Sequence, residues 1–211
     1  MRTYFRYAIY LAAVICFSSS HADPAVDFFR AVNIDNERTV KSLLADGLDP
    51  NTPNPQGQVG LFLAMRDESP KVAAVLLAHP AVRVDATTPA DETPLMMACL
   101  RGSTEWATKL LDRGAAINRK GWTPLHYAAS GPQTALVTLL LDRGADIDAA
   151  SPNRSTPLMM AARYGASESA ELLLSRGADT KARNDRDLTA AAFARAAGRE
   201  ALAARIEAAA R

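Results

Sequence analysis

The chain has 211 residues, of which 48% are hydrophobic and 22% charged, with a formal net charge of +1. That length and composition suit one compact unit or one repeat array with its own core, and the near-neutral balance excludes a global field that would draw in nucleic acid. Aromatic residues make up only 6%, so the core has to be built mainly from Ala, Leu, Val and Met.

Residues 1–22 read as a leader and not as part of the fold. Arg2 and Arg6 give a positive start, Ala8 to Phe17 is an apolar run, and Ser20 and Ala22 are small residues three and one before Asp23. This is the pattern of a secretory signal peptide cleaved after Ala22. The run is too short to cross about 30 Å of hydrocarbon comfortably, and Ile15 directly before Cys16 does not suit lipid attachment. The expected mature chain is therefore a single domain over 23–211, periplasmic or secreted, with no stable membrane insertion. Losing Arg2 and Arg6 turns 24 basic and 23 acidic residues into 22 and 23, a net of −1. Cys16 leaves as well. Cys99 is then the one cysteine, and an internal disulfide cannot form even in an oxidising compartment.

Beyond the leader the chain repeats. In the first unit, about 24–55, Val26 to Val32 reads as a short helix, and Leu43/Leu44 with Gly47 end a second one. Phe28, Phe29 and Val32 are placed to cover an exposed end. In the second unit, 56–88, Val59-Gly60-Leu61 precedes the paired Leu76/Leu77, and Pro80 stands 21 residues after Val59. Three stronger units follow over 89–118, 119–151 and 152–184, opened by Thr93-Pro94-Leu95, Thr123-Pro124-Leu125 and Thr156-Pro157-Leu158. Each threonine is followed 21 residues later by a glycine (Gly114, Gly144, Gly177), preceded by Leu110/Leu111, Leu140/Leu141 or Leu173/Leu174. Including the weaker Leu188-Thr189-Ala190, the threonines step by 30, 33 and 33 residues. Such a period marks a solenoid.

The residue types fit helix ends. Threonine before proline caps a helix start, where proline lacks the amide that would go unused, and glycine ends the second helix in a left-handed conformation. From 185 to 211 an Ala-rich stretch carrying Arg195, Arg199, Glu200, Arg205 and Glu207 supplies the polar cap that a stack needs for solubility.

The clearest unit runs Gly121-Trp122-Thr123-Pro124-Leu125-His126-Tyr127-Ala128-Ala129 and ends Leu139-Leu140-Leu141-Asp142-Arg143-Gly144-Ala145-Asp146-Ile147-Asp148. It resembles the ankyrin repeat, over roughly residues 24 to 210. The resemblance implies an all-α solenoid of helix-turn-helix units with short β-hairpin fingers, about six repeats including the degenerate ends. The 30-residue step implies one stunted finger between Gly114 and Thr123. His126 implies a structural role, tying helices to loops, with Met96 and Met159 in the equivalent places.

Catalytic chemistry is not evident. Neither His79, at a helix end, nor His126 has ligand-spaced neighbours for a metal, and Cys99 reads as a small buried hydrophobe. Asp146 and Asp148 belong to an ordinary loop sequence. A phosphate loop or a nucleophile signature is not found. The expectation is a non-enzymatic monomer without cofactor or metal, holding a protein and not nucleic acid. The basic Arg101, Arg119, Lys120 and Arg163 are interleaved with Glu92, Asp185 and Asp187, a mixed surface.

The resemblance also implies binding through the concave face. The positions before each inner helix are Gln58, Glu92, Trp122, Ser155 and Leu188; those near its end include Arg66, Leu100, Arg101, Ser130, Arg163 and Tyr164. The expected partner surface is Trp122, Tyr164, Arg101, Arg163, Leu100, Glu92 and Ser155, centred on Trp122 because aromatic residues and Arg dominate interface energetics. Met97, Tyr127 and Met160 are expected in the core. The chain looks like the small exported ankyrin proteins of Gram-negative bacteria, a group including supporters of periplasmic catalase and immunity proteins against secreted toxins. A haem or small-ligand carrier using Cys99 or His126 is the rival reading.

Overall fold

Each Thr-Pro step starts a short helix in the computed structural model, which describes residues 23–210. The expected leader lies outside the described residues. Among them are six helix pairs: α1 (Pro24–Asn33) with α2 (Glu37–Ala45), α3 (Gly60–Arg66) with α4 (Pro70–Ala78), α5 (Pro94–Leu100) with α6 (Thr104–Asp112), α7 (Pro124–Ser130) with α8 (Thr134–Asp142), α9 (Pro157–Arg163) with α10 (Ser167–Ser175), and α11 (Ala190–Ala196) with α12 (Glu200–Ala209). The odd-numbered helices stack on one another as an inner row, and the even-numbered helices form a looser row behind them. The Ala-rich end forms a complete sixth pair.

Threonine and proline act at the inner helix starts as their chemistry requires. Thr93 and Thr156 accept the amides of Met96 and Met159 at 3.3 and 3.4 Å, and Pro94 and Pro157 occupy the first turn. The four middle inner helices are buried almost all round: Leu61, Leu95, Leu125 and Leu158 are fully covered, and so is the outer-row layer of Leu76, Leu110, Leu140 and Leu173. Only the first leucine of each strong pair is fully buried; Leu111, Leu141 and Leu174 are half-exposed at its edge. At the first repeat Phe28 and Val32 point into this core, with Val26 and Ile34 left on the outside.

The fingers are hydrogen-bonded turns and not strand pairs; among the described residues the one β-bridge joins Pro53 and Val59. Four of them share a pattern. Asn54, Thr88, Ser151 and Asn184 donate their amides to the carbonyls of Gln58, Glu92, Ser155 and Leu188 at 2.8–3.1 Å. The stretch between Gly114 and Thr123 makes no such bond, so it is the short finger expected from the 30-residue step. Behind the fingers a second ladder crosses every gap between repeats two and five and the gap before them. Asn51, Asp85, Asn118 and Asp148 accept the amides of Arg83, Ala116, Asp146 and Asp179 at 2.7–3.1 Å. Each ties the loop of one repeat to that of the next.

Arg199 fastens the last pair. One guanidinium nitrogen donates to the carbonyls of Ala161, Ala162 and Gly165 at 2.8–3.0 Å, and the other to the Ser167 hydroxyl at 2.7 Å. It caps carbonyls at the end of α9, of which that of Ala161 also accepts the Gly165 amide at 3.2 Å. We expect Arg199→Ala to cost about 1.5–3 kcal/mol, the range for hydrogen bonds to charged groups. A urea titration followed by far-UV circular dichroism measures this, and Arg199→Lys should recover little because an ammonium lacks the fork.

Candidate functional site

The inner face is not uniform from end to end. In repeat two it is closed by its own polar groups: Arg66 grips Asp67 with two 2.7 Å bonds and reaches Gln58 at 3.2 Å. Farther along the stack the face opens into a cup of about 420 Å³ lined by Leu100, Trp122, His126, Tyr127, Ser130, Met160 and Tyr164. That size is in the range of binding cavities, and the lining is mostly apolar with a few polar groups.

The cup follows from the repeat. Residues four after the capping threonine face inward: Met97 is buried in the core, but Tyr127 and Met160 are half-exposed in the cup wall. The expectation of core packing therefore holds for Met97 alone. Seven and eight residues after the threonine come Leu100 and Tyr164, 40% and 59% exposed, on the rim. Trp122 enters from the short finger and is half-buried, packed against the core on one side. Its ring meets His126 edge-on, centroids 5.2 Å apart. Packing support and cup wall are thus one residue's two roles.

His126 holds the floor. Its Nδ1 lies 2.8 Å from the Thr123 hydroxyl and 3.2 Å from the Thr123 amide, which donates to it, while Nε2 donates to the Ser155 carbonyl at 2.9 Å. Those partners select the neutral tautomer protonated at Nε2. The sulfurs of Met96 and Met159 accept the equivalent threonine amides at 3.4 and 3.5 Å, but thioethers have no second hand for the next repeat. Burial holds the His126 pKa below its ordinary value, opposed by the Ser155 and Ala149 carbonyls and the Asp146 carboxylate. Because the folded pKa is depressed, the stability is complete above the unfolded value of about 6.5 and is lost as pH falls from there towards the folded value. We expect His126→Gln to flatten the dependence of the urea midpoint on pH below about 6.5 while lowering stability at pH 8.

Tyr127 donates its hydroxyl to Glu92 Oε1 at 3.2 Å, and its pKa is pushed up to about 12 by burial and by that carboxylate. Glu92 also receives the Thr88 hydroxyl at 3.5 Å.

The expected surface residues separate into groups. Trp122, Tyr164 and Leu100 line the cup, and Arg163 stands beside it with its guanidinium 5.3 Å from the Tyr164 ring and 6.0 Å from that of Phe193. Glu92 lies just behind Tyr127. Ser155 departs from the expectation: it is 1% exposed, and its carbonyl serves His126. Arg101 departs too, lining a separate cavity with Met65, Glu68 and Trp106. It shares its repeat position with Tyr164, and each leans on the repeat before it; for Arg101 that is the side away from Trp122. Tyr127, Met160 and Ser130 join the cup, the first two not expected on the surface.

Neither haem-ligand candidate has a free ligand atom, although His126 lines the cup. Cys99 is fully buried, its thiol pKa raised by that burial, and both ring nitrogens of His126 are engaged. His79 ends α4, with Nδ1 accepting the Ala81 amide at 3.3 Å. Among the described residues no group of three His, Cys, Asp or Glu side chains could hold a metal ion, and no helix is long and apolar enough to cross a membrane.

A family model described as ankyrin repeats (3 copies) matches residues 28–120 and 116–184. The poly(ADP-ribose) polymerase tankyrase of Caenorhabditis elegans is 37% identical over 89 residues, 41% of this chain. The matched segment is 4% of that protein's length. The likeness lies in a stretch of repeats and does not extend to the rest of that protein.

Proposed function

The chain belongs to the ankyrin-repeat family, and from that premise we propose that it is a non-catalytic scaffold that holds a protein partner outside the cytoplasm, on the inner face around Trp122. The observation that carries the reading is the cup. Three aromatic side chains, a methionine and a leucine lie in one cavity, with Tyr164 and Leu100 exposed on its rim. Aromatic residues in a partly dry pocket are the usual anchors of protein interfaces. Export is supported by the leader pattern over 1–22, and by the resemblance to small exported ankyrin proteins of Gram-negative bacteria.

Two measurements test this. Fractionation of cells carrying a C-terminally tagged chain should place it outside the cytoplasm with an amino terminus at Asp23; a full-length cytoplasmic product would remove the export. A pull-down from the exported fraction should recover a partner with the native chain and lose most of it with Trp122→Ala/Tyr164→Ala. Equal recovery with an unchanged melting curve would remove this face as the binding site.

A further inference from the structure

Charge sorts the cup's surroundings in a way that the amino-acid order conceals. Several acids interleaved with the basic residues are already spent within the fold. Arg119 reaches back from the short finger to Asp91, with 2.6 Å bonds to both its carboxylate and its carbonyl. Arg183 pairs with Asp187 at 3.0 Å, and Glu92 receives the hydroxyls of Tyr127 and Thr88.

The exposed cations beside the cup are left over. Arg163 adjoins Tyr164, and Lys120, two residues before Trp122, lines a neighbouring notch at the short finger with Gly121 and the paired Arg119 and Asp91. Arg154 tips the next finger at a φ of 60°. Among the described residues none of the three has a carboxylate within ion-pair distance, and all are exposed. Asp185, whose amide meets the Asn153 carbonyl beside Arg154, is the one acid of the mixed surface left with neither an ion pair nor a hydroxyl. Next to the cup itself, at Arg163 and Lys120, the unpaired charges are cationic.

We propose that the cup receives a bulky apolar side chain of the partner from a segment whose flanking residues are acidic, with carboxylates meeting Arg163 and Lys120. This rests on the reading of the inner face as the partner site and adds the partner's chemistry. The cup supplies the desolvated contact, and the rim supplies charge complementarity, which sets specificity and speeds encounter. A basic segment would bring its charges against Arg163 and Lys120 with no acid free beside them but the hydroxyl-bound Glu92.

The test uses three amidated, acetylated peptides, Glu-Glu-Phe-Glu-Glu, Lys-Lys-Phe-Lys-Lys and Glu-Glu-Ala-Glu-Glu. The mature chain carries Trp106→Phe, so that Trp122 is the sole tryptophan and is read by exciting above the tyrosine absorption. The acidic Phe peptide should shift Trp122 emission in a saturable way, with an affinity at least about fivefold above that of either other peptide and falling as salt is raised from about 0.05 to 0.5 M. Arg163→Gln/Lys120→Gln should erase most of the preference over the basic peptide, whereas Tyr164→Ala should erase that over the Ala peptide. All three substitutions are at exposed sites, and an unchanged melting curve verifies the fold. Equal binding of acidic and basic Phe peptides, or a preference untouched by the rim variant, overturns the proposal. Partner recovery that depends on Trp122 and Tyr164 would in that case still stand, so the two failures are told apart.

Discussion

Gly165→Ala should remove about 3 kcal/mol or more of stability, although it adds a single methyl group. Gly165 follows α9 at the turn into α10, and an added Cβ would run into the carbonyl of Ala129 in the preceding repeat. That atom belongs to the backbone of α7, so relief requires the two inner helices to move apart. They cannot move without uncovering Ala129, Ala161 and Ala162, all fully buried between them. A different glycine gives the contrast. Gly144 has nothing within 4 Å of an added Cβ, but its φ is +88°. Gly144→Ala therefore meets only the left-handed penalty, about 1–2 kcal/mol. Urea unfolding of both variants measures the order. Equal midpoints would mean that repeats four and five are not in the contact described.

Phe28→Ala should cost about 3–5 kcal/mol, the usual range for emptying a buried aromatic site, but the loss should stay local. Phe28 is fully buried where α1 meets α3 and α4. Its ring lies 2.6 Å from where a Cβ on Gly60 would stand, with Leu76 at 3.2 Å. In a stack each repeat contacts only its neighbours, so a terminal lesion frays the end without unzipping the centre. Hydrogen exchange should show residues 24–45 losing protection while 94–175 keep it. The geometry also sets a coupling. Gly60→Ala alone should destabilise by colliding with Phe28, and in the Phe28→Ala background it should cost less, because the empty site accepts the methyl group. A strictly additive double mutant would contradict that packing.

The architecture was readable because the repeat states it several times over. Thr-Pro fixed the inner helix starts at 94, 124 and 157, the glycines marked the outer helix ends, and the 30-residue step located the short finger. The first two repeats could be placed only by phase, since Val59 and Pro80 stand where the others have threonine and glycine.

The site was legible in part. Trp122, Leu100 and Tyr164 stand at positions that the repeat leaves free, and the structure brings them together. Tyr127 and Met160 were not expected on the surface, because they share a repeat position with Met97, which is buried. The difference arises where the face opens past repeat three. Ser155 was misplaced because a backbone role, accepting from His126, leaves no trace in residue type. The pairing of Arg119 with Asp91 joins residues 28 apart across the short finger. No local pattern announces it, nor the fact that Arg163 and Lys120 are left without an ion-pair partner beside the cup.

The most direct test of the central claim is site-specific photocrosslinking. A benzoylphenylalanine replaces Tyr164 in the cup or, as a control, Lys109 on α6, exposed on the outer row. We expect the probe at 164, in cells expressing the chain at its native level, to capture a protein in one discrete band that competing acidic Phe peptide diminishes, and the probe at 109 to capture none. A discrete adduct at 109 with none at 164 would contradict a partner held in the cup.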